Sequence, residues 1–404
     1  MLTSENIQKL PNAQHGMEER PILCLATQAW NEHWSLSQQV MLRVARDWKS
    51  KVVYVEPYHP PLAWFKKKHS VLRKEHSTPY LRNITDNLLI YRPRFPYLPG
   101  NLKWQAAARA NGPLYRAEIR FLLSKLGLQD PLLWAFFAQN TSILDLSFSY
   151  LVYDCVDDWP SFFPDPREQR YVAEVDEILC RRADLVFAGS EPLADKKLSL
   201  NRKTFVVNHA ADIPHFNTAC NRETIVPDDL ESIPHPRIGF VGMIDSVRFD
   251  PTIIESIAAN PGLQVVVIGG FLGNTEKSLS SRPNIHKLGM KNVSQLPAYL
   301  KGLDVCIMPY RLNEATRNIF PLKLYEYLAT GKPVVATPIP AVVGLEPMVY
   351  IAEDAQAFSR VVDYALRESG ESLAIKRREH ASHHTWEAHV DKKCQLILRH
   401  LLQS

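Results

Sequence analysis

Several features that would assign the protein to a specialised class are absent from its sequence. No stretch approaches the roughly 18 consecutive apolar residues of a membrane-spanning helix. The opening 20 residues lack the basic start and the apolar core of a secretory signal peptide. The 6 cysteines are scattered without a paired short spacing, which argues against a zinc site and against a disulfide framework. We therefore expect a cytoplasmic protein with reduced thiols.

Strong charge of one sign is also absent from the chain as a whole. A formal net charge of +4 is too small to indicate binding to nucleic acid. The hydrophobic fraction of 46% and the charged fraction of 22% are ordinary for a folded protein, which excludes general disorder. Because 404 residues exceed what one core usually supports, we expect two domains.

The basic residues are nevertheless concentrated in one segment, from Trp64 to Lys125. This segment contains Lys66, Lys67, Lys68, Arg73, Lys74, Arg82, Arg92, Arg94, Lys103, Arg109, Arg116, Arg120 and Lys125. Only Glu75, Asp86 and Glu118 oppose them. Because aromatic side chains such as Trp64 are interleaved with the cations, we expect this segment to rest on an anionic membrane surface. The alternative is a solvated basic face.

Two series of short β-rich runs alternate with helical patterns. The first series is "PILCLAT" from 21, "KVVYVEP" from 51, "YLVYDCV" from 150, "DLVFAGS" from 184 and "TFVVNHA" from 204. The second series is "RIGFVG" from 237, "LQVVVIGG" from 263, "NIHKLG" from 284, "DVCIMPY" from 304 and "PVVATP" from 333. Gaps such as 35–48 and 168–182 suit crossover helices, so each half is predicted to be an open parallel α/β sheet.

A stretch rich in turn-forming and charged residues, 217–236, separates the two series and indicates a domain boundary. The predicted parts are a polar extension 1–20, a Rossmann-like domain 21–215, a linker 216–236, a second Rossmann-like domain 237–380 and a C-terminal helix 381–404. Functional residues in such sheets lie at the carboxyl ends of the strands, and the cleft between two of them is a natural ligand site.

The stretch "PLKLYEYLATGKPVVAT", 321–337, predicts a helix with a defined start and end. Pro321 suits the first helical position, and Gly331 suits the left-handed cap that ends a helix. Lys323 falls in the first turn, where the helix dipole disfavours a cation by roughly 0.3–1 kcal/mol. We therefore expect a negatively charged group close to Lys323.

Several motifs of the second half occur together in one enzyme family. They are "GFVGMIDSVRFD", "VVVIGG", "NIHKLGMKNVSQLPAYLKGLDVCIMPY" and "FPLKLYEYLATGKPVVAT". The first half carries weaker counterparts, "WNEHWSLSQQVMLRVA", "LVYDCVDDWPSFF", "RRADLVFAGSEPL" and "VVNHAADIPHF". With these motifs the chain resembles bacterial glycosyltransferases of the two-domain GT-B fold, of the group 1 or family 4 type. The resemblance implies an acceptor-binding domain and a nucleotide-sugar-binding domain that face a cleft.

The resemblance also implies roles for residues at matching positions. Lys323 would face the donor diphosphate, which supplies the expected negative charge, and Glu326 would accept hydrogen bonds from the ribose hydroxyls. Gly242 would leave room for a phosphate, and Arg248 would add positive charge. The segment from His286 to Met290 would hold the nucleotide base by its backbone groups.

Some positions depart from the family pattern. Many retaining members place a second glutamate, which helps to hold the transferred sugar, where this chain has Asn318. Asn318 and its neighbour Arg317 are candidates for donor binding, while the donor sugar and the stereochemical outcome stay open. The residue after Gly242, often arginine in the family, is Met243. The first loop, "TQAWNEHW", lacks the usual glycine pair.

The transfer step needs a group near the acceptor hydroxyl. Asp157, in "YDCVDDW", is the preferred general base if the enzyme inverts, and His33 is a second candidate. If the enzyme retains, the donor phosphate takes that role and the aspartate orients substrate. A helix-capping role for Asp157 or Asp158 is the structural alternative. No carboxylate cluster calls for a metal, and we expect no cofactor besides the donor substrate.

The favoured function is a membrane-peripheral glycosyltransferase, with hexosyl transfer expected, that uses a nucleotide-diphosphate sugar. Its acceptor would be a glycan or a lipid-linked molecule in cell-surface polysaccharide synthesis. The alternatives are a sugar-nucleotide epimerase or phosphorylase of the same fold, and a non-catalytic sugar-nucleotide-binding assembly subunit.

Overall fold

A computed structural model describes residues 13–18, 20–31, 34–58, 79–100 and 102–402. The chain divides into two compact units. The first comprises Met1–Val207 together with Val390–Ser404, and the second comprises Asn208–His389. The last helix therefore begins in the second unit and ends in the first.

The first unit is built on an eight-stranded sheet in the order β3-β4-β2-β1-β5-β6-β7-β8. Its strands are β1 (Ile22–Leu25), β2 (Val52–Val55), β3 (Leu81–Thr85), β4 (Leu88–Tyr91), β5 (Leu132–Ala135), β6 (Tyr150–Cys155), β7 (Leu185–Ala188) and β8 (Thr204–Val206). Its helices are α1 (Ala13–Glu18), α2 (Leu36–Asp47), α3 (Gln105–Lys125), α4 (Pro166–Arg182) and α5 (Glu191–Leu198). Short 3₁₀ turns lie at Thr141–Asp145 and Trp159–Phe162. The described strands pair in parallel except β3, which is antiparallel to β4 at the sheet edge.

The second unit is built on a six-stranded parallel sheet in the order β11-β10-β9-β12-β13-β14. Its strands are β9 (Arg237–Val241), β10 (Gln264–Ile268), β11 (Ile285–Gly289), β12 (Val305–Met308), β13 (Val334–Ala336) and β14 (Val349–Ile351). Its helices are α6 (Ile213–Asn217), α7 (Asp228–Glu231), α8 (Pro251–Ala258), α9 (Leu296–Lys301), α10 (Glu314–Asn318), α11 (Leu322–Ala329), α12 (Ala355–Ala365) and α13 (Ser372–Ser382). The last helix is α14 (Trp386–Leu401). None of the helices in the described parts of the chain combines the length and the apolar character that a membrane crossing requires.

Helices cover both faces of the second sheet. Alternate residues of β10 enter different cores, Val266 on one face and Val265 and Val267 on the other. Helices α9 and α11 pack on the Val266 face, and helices α8 and α12 pack on the opposite face. This three-layer arrangement explains why the strand sequences are continuous apolar runs rather than alternating ones.

The strands predicted from both series of β-rich runs are present in the structure. The predicted crossover helices at 35–48 and 168–182 correspond to α2 and α4. Strands β3, β4, β5 and β14 were not predicted. The predicted helix near 321–337 is α11. Pro321 is its N-cap, not its first helical residue as predicted, and Gly331, at φ +74°, follows the C-cap Thr330.

A buried ion pair joins the end of the chain to the sheet of the first unit. Lys393, on α14, donates through Nζ to both carboxylate oxygens of Asp154 on β6, at 2.8 and 2.6 Å. The same carboxylate accepts Nε1–H of Trp134 at 3.0 Å. The side chains of Lys393 and Asp154 are 1% and 3% exposed. Burial lowers the pKa of Lys393, and the carboxylate beside it opposes that shift.

We predict that Lys393→Met destabilises the protein much more than the double change Asp154→Asn/Lys393→Met. The single change leaves a buried carboxylate without its cation, which typically costs about 3–5 kcal/mol, whereas the double change removes both charges. Unfolding in urea, followed by circular dichroism, measures the difference. Lys203→Met, at an exposed position of the same unit, is the matched control. Equal destabilisation by the single and double changes would contradict this account.

Candidate functional site

The carboxyl edge of the second sheet is formed by strand ends that meet backbone to backbone. Gly242 follows β9, and Gly269 follows β10 with a φ of +148°. A Cβ atom at Gly269 would lie 1.8 Å from the carbonyl oxygen of Gly242, so only glycine fits there. The N–H of Gly242 donates to Ile268 O, and the N–H of Gly269 donates to Gly289 O, both at 2.9 Å. A ligand can therefore approach the backbone of this edge without meeting side chains from these glycines.

Two methionines, Met243 and Met290, flank Gly270, the glycine that follows Gly269. A Cβ atom at Gly270 would lie 2.9 Å from Cε of Met243 and 3.0 Å from Sδ of Met290. These two side chains are 38% and 49% exposed. Met243 stands where the family resemblance leads one to expect arginine. This part of the edge is therefore apolar and polarisable, and its thioether sulfurs can make favourable contacts with an aromatic ring.

Asp245 fixes the loop that follows β9. Its Oδ1 accepts the backbone N–H groups of Val247 and Arg248, at 2.9 and 2.8 Å. Its Oδ2 accepts Nε–H of the Arg248 guanidinium at 2.7 Å, and the Arg248 side chain remains 36% exposed. Asn313 donates to Val247 O at 2.7 Å, which joins this loop to the one after β12. Arg248 is therefore held at the sheet edge with its charge partly balanced by Asp245.

Helix α11 places the two strongest sequence candidates side by side. Lys323 Nζ donates to Oε2 of Glu326 at 2.5 Å, and the two side chains are 23% and 13% exposed. The negative group expected near Lys323 is thus Glu326 in this structure. Burial raises the pKa of Tyr310 to about 12, and the charges of Arg248, Asp245 and Glu326 also act on its hydroxyl. Phe249, the residue after Arg248, forms a β-bridge with Tyr310, and Tyr310 packs against the hydrophobic cluster that contains Leu324 of α11. These contacts join the loop of Arg248 and the helix of Lys323 and Glu326 into one neighbourhood.

Tyr327 ties the same helix to the end of β9. Its hydroxyl accepts the backbone N–H of Val241 at 2.8 Å and lies 3.3 Å from the carbonyl oxygen of Val241. The side chain is completely buried. Because Val241 directly precedes Gly242, this contact sets the position of the glycine relative to α11. Sequence analysis did not assign a role to Tyr327, although a tyrosine in an otherwise apolar helix stripe signals a hidden hydrogen bond.

The two candidates on α10 have different environments. Asn318 is completely buried, and its side-chain amide donates to the carbonyl oxygen of Glu314 at 2.7 Å. Arg317, one residue earlier, is exposed. The predicted contact of Asn318 with the transferred sugar stays a prediction, since the structure uses at least part of the amide to bond its own helix.

The predicted base-binding segment runs along β11. Nε2 of His286 lies 2.8 Å from Oε1 of Gln264, the first residue of β10, and burial lowers the pKa of this histidine. Met290, by contrast, follows the last residue of β11 and contacts the Gly270 edge. Of this segment, only the Met290 end lies among the strand ends described above.

The candidate catalytic residues belong to the first unit. Asp157 and Asp158 follow β6, and His33 lies outside the described residues. Asp158 is buried and accepts Nζ–H of Lys196 at 2.9 Å. Although Asp158 precedes the 3₁₀ turn Trp159–Phe162, its side chain makes no capping hydrogen bond. Within the described ranges, no group of three or more His, Cys, Asp or Glu side chains could hold a metal ion.

A buried carboxylate, not identified from the sequence, organises the carboxyl edge of the first sheet. Glu56 follows β2 and is 1% exposed. It accepts Arg82 at 2.8 Å, Arg92 at 2.7 Å and the backbone N–H of Trp30 at 2.9 Å. Arg82 also donates to the carbonyl oxygen of Trp30 at 3.0 Å. The loop after β1 is therefore fixed on both sides of Trp30. An acidic residue directly after a buried strand was the available signal.

The basic segment from Trp64 to Lys125 contains cations of several kinds. Its members Trp64, Phe65, Lys66 to Lys68, Arg73 and Lys74 lie outside the described residues. Arg82 and Arg92 are paired internally with Glu56, as described above. Lys103 pairs with Asp165 at 3.1 Å and Arg116 with Asp145 at 2.6 Å. The exposed cations of α3 for which the described residues provide no salt bridge are Arg109, Arg120 and Lys125.

Comparisons with known proteins support the resemblance. Residues 235–368 match the family model described as glycosyl transferases group 1. The chain is 28% identical over 218 residues to a Bacillus subtilis protein that carries the name teichuronic acid biosynthesis glycosyltransferase TuaH. That alignment covers 50% of this chain and 54% of the relative, so the chain matches about half the length of that protein.

Solved structures match nearly the whole chain at low identity. A sucrose-phosphate synthase from Thermosynechococcus elongatus has a TM-score of 0.70 at 16% identity, covering 95% of this chain and 100% of that chain. Anabaena Alr3699/HepE in complex with UDP-glucose has a TM-score of 0.62 at 14% identity, covering 94% and 99%. An α,α-trehalose-phosphate synthase (UDP-forming) from Burkholderia vietnamiensis has a TM-score of 0.64 at 12% identity, covering 93% and 96%.

These comparisons confirm the predicted resemblance to group 1 glycosyltransferases and the predicted fold class. The two parallel-dominated α/β units have the GT-B fold, and residues 235–368 match the model of the family described as glycosyl transferases group 1.

Proposed function

We propose that the protein is a glycosyltransferase that moves a sugar from a nucleotide-diphosphate sugar to a glycan or lipid-linked acceptor in cell-surface polysaccharide synthesis. The observation that carries this proposal is the neighbourhood of Arg248, Lys323 and Glu326, whose loop and helix are joined through Tyr310 within the segment that matches the group 1 model. It combines two cations, Arg248 and Lys323, with two carboxylates, Glu326 and the Asp245 that pairs with Arg248.

The charges of this neighbourhood suit a diphosphate joined to a ribose. Lys323 lies in the first turn of α11, where free N–H groups and the helix dipole add positive potential. Arg248 contributes a second cation with a 36% exposed side chain. Glu326 offers a carboxylate that accepts hydrogen bonds from sugar hydroxyls. A bound diphosphate would therefore compete with Glu326 for Lys323 and release the carboxylate toward the ribose.

The neighbouring methionines give the same edge an apolar part. Met243 and Met290 flank Gly270 and are both partly exposed, so an aromatic base could lie against thioether sulfur. The Anabaena protein was solved with UDP and with UDP-glucose. We therefore choose UDP as the first probe for this chain and UDP-glucose as the first whole donor.

The name of the Bacillus subtilis relative supports an acceptor in cell-wall polysaccharide synthesis. For the transfer step, Asp157 follows strand β6 and is the candidate base if the enzyme inverts. Asp158 is already engaged by Lys196, which assigns it a structural part. If the enzyme retains, the donor phosphate accepts the proton and Asp157 orients the acceptor.

A non-catalytic sugar-nucleotide-binding subunit is the second candidate function. The observation that favours it concerns position 318, where many family members have a sugar-binding glutamate. This chain has Asn318 there, and its buried amide donates to the carbonyl oxygen of Glu314. Donor binding without any turnover on glycan or lipid acceptors would support this second function.

We predict that Lys323→Ala weakens binding of UDP but not of uridine, whereas Glu326→Ala weakens binding of both. Each lost charge-assisted hydrogen bond costs about 1.5–3 kcal/mol, or roughly tenfold to a hundredfold in affinity. Isothermal titration calorimetry with UDP and uridine measures the effect. Arg282→Ala, which removes the cation of another ion pair in the same unit, is the control. If Lys323→Ala weakened uridine binding as much as UDP binding, the phosphate assignment would be wrong.

We predict that Tyr327→Phe lowers both stability and UDP affinity. The change leaves the buried N–H of Val241 without its acceptor, at a cost of about 1–3 kcal/mol, and loosens the position of Gly242. Urea unfolding and calorimetry with UDP report the two effects. Tyr364→Phe, at a side chain that is 64% exposed, is the matched control and should change neither. Unchanged UDP affinity would show that Tyr327 acts on stability alone.

We predict that Asp157→Asn lowers the rate of sugar transfer by about 100-fold or more while UDP affinity stays unchanged, as expected for loss of a general base. Initial rates of UDP release in the presence of acceptor test this once a donor and acceptor pair has been found. Asp158→Asn should lower stability through loss of its Lys196 pair and affect the rate less. A nearly unchanged rate for Asp157→Asn would exclude this residue as the base and leave His33 as the candidate.

A further inference from the structure

The outward side of helix α3 has two rows of different chemistry. One row is basic and consists of Arg109, Arg116 and Arg120, seven and four residues apart, which places them on one flank of the helix. The other row is apolar and consists of Leu114 and Phe121, seven residues apart, with exposures of 44% and 69%. We call this side, together with Lys125, the α3 face. Trp104, which directly precedes the helix, is a further exposed apolar side chain, at 55%.

The only acidic residue of α3 is turned away from this face. Glu118 is 4% exposed, and its carboxylate accepts the hydroxyls of Tyr91 and Tyr97 and the backbone N–H of Arg94. The charge of Glu118 is therefore used inside the first unit. The α3 face keeps its positive charge because Arg109, Arg120 and Lys125 make no salt bridge with the described residues.

Helix α3 is anchored firmly by its inner side. The side-chain amide of Asn140 donates to Ala108 O at 2.6 Å, and the hydroxyl of Ser142 donates to Gly112 O at 2.8 Å. These contacts hold the helix against the 3₁₀ turn Thr141–Asp145. An open groove of about 510 Å³ lies beside them, between α3, this turn and α4. The groove is lined by three arginines and two carboxylates, namely Arg109, Arg116, Arg182, Asp145 and Glu174.

We propose that the α3 face docks on an anionic lipid bilayer. Basic side chains beside exposed phenylalanine, leucine and tryptophan are the combination that binds the headgroup region, where cations meet lipid phosphates and aromatic rings enter the acyl boundary. A second copy of the chain is a poor occupant, because a twofold contact would bring Arg109 and Arg120 against the same cations of its partner. The excess of arginine in the adjoining groove matches lipid phosphate as well.

The α3 face is a smaller membrane-facing region than the one predicted from the sequence. The sequence assigned the role to the whole segment from Trp64 to Lys125, but Arg82 and Arg92 are used internally, and Lys103 and Arg116 are balanced by acidic partners. The docking proposal rests on the proposed function only for its biological purpose, the approach to a lipid-linked acceptor. Vesicle binding is measured without donor or turnover, so the two proposals can fail separately.

The test is co-sedimentation of the full chain with vesicles of phosphatidylcholine alone and of phosphatidylcholine mixed with phosphatidylglycerol. We expect binding to the anionic vesicles only, and weaker binding as salt is added. Arg109→Glu/Arg120→Glu should lower this binding by at least about 25-fold, since each basic residue near such a surface contributes about fivefold. Phe121→Ser should lower it by about tenfold, because it removes the most exposed apolar side chain of the face.

Matched controls separate the α3 face from general charge and apolarity. Arg202→Glu changes an exposed arginine elsewhere in the first unit, and Ile225→Ser removes a side chain that is 82% exposed in the second unit. Both should bind vesicles as the unchanged protein does. Melting temperatures and UDP binding of all variants should stay unchanged, and Phe121→Ser keeps the test decisive if the double variant does not fold.

Equal sedimentation with neutral and anionic vesicles, or wild-type binding by the α3 variants, would overturn the proposal. So would an oligomer in analytical ultracentrifugation that dissociates on Phe121→Ser, because a second copy would then cover the face. Transfer to a water-soluble acceptor by variants that no longer bind vesicles would leave the proposed transferase activity intact.

Discussion

The second unit depends on one contact between a helix and the end of a strand. The hydroxyl of Tyr327 holds the backbone of Val241, and the next residue, Gly242, lies so close to Gly269 that no side chain fits between them. Helix α11 therefore cannot move relative to the glycine edge without breaking a buried hydrogen bond. Because Lys323 and Glu326 belong to the same helix, their distance from the edge is set by this contact. Preorganisation of this kind lowers the cost of ordering a site when a ligand binds.

In the first unit, buried ion pairs take the part that the Tyr327 hydrogen bond has in the second unit. The first unit has two interior ion pairs: Lys393 of α14 with Asp154 of β6, and Lys197 of α5 with Asp176 of α4. A buried pair adds little net stability but penalises any arrangement that separates its members. The pair of Lys393 fixes the last helix on the sheet, and Glu56 does the same for the loop after β1. These pairs act on geometry more than on stability.

Most strands and the helix α11 are predicted from the sequence, because they follow from local patterns of apolar residues and of capping residues. Strands β3 and β5 and the partners of buried polar groups are not predicted in this way. The expected anion near Lys323 is Glu326. The two residues are three positions apart on one helix, and this spacing is enough to bring their side chains together. The roles of Tyr327 and Glu56 could not be predicted in the same way. Each depends on residues 26 to 86 positions distant, and no local pattern specifies which backbone group a buried hydroxyl or carboxylate will meet.

Glu118 shows how an interior requirement shapes an exterior surface. The loop after β4 brings Tyr97 and the N–H of Arg94 into the unit, and these donors need a buried acceptor, which α3 supplies. Because the only carboxylate of α3 points inward, no acidic side chain of the same helix lies beside the arginines on its outer side. The basic character of the α3 face therefore follows from hydrogen bonding in the core as well as from the number of arginines. A change at Glu118 would act on the core hydrogen bonds and on the charge of the α3 face, whereas changes at Arg109 or Phe121 act on the surface alone.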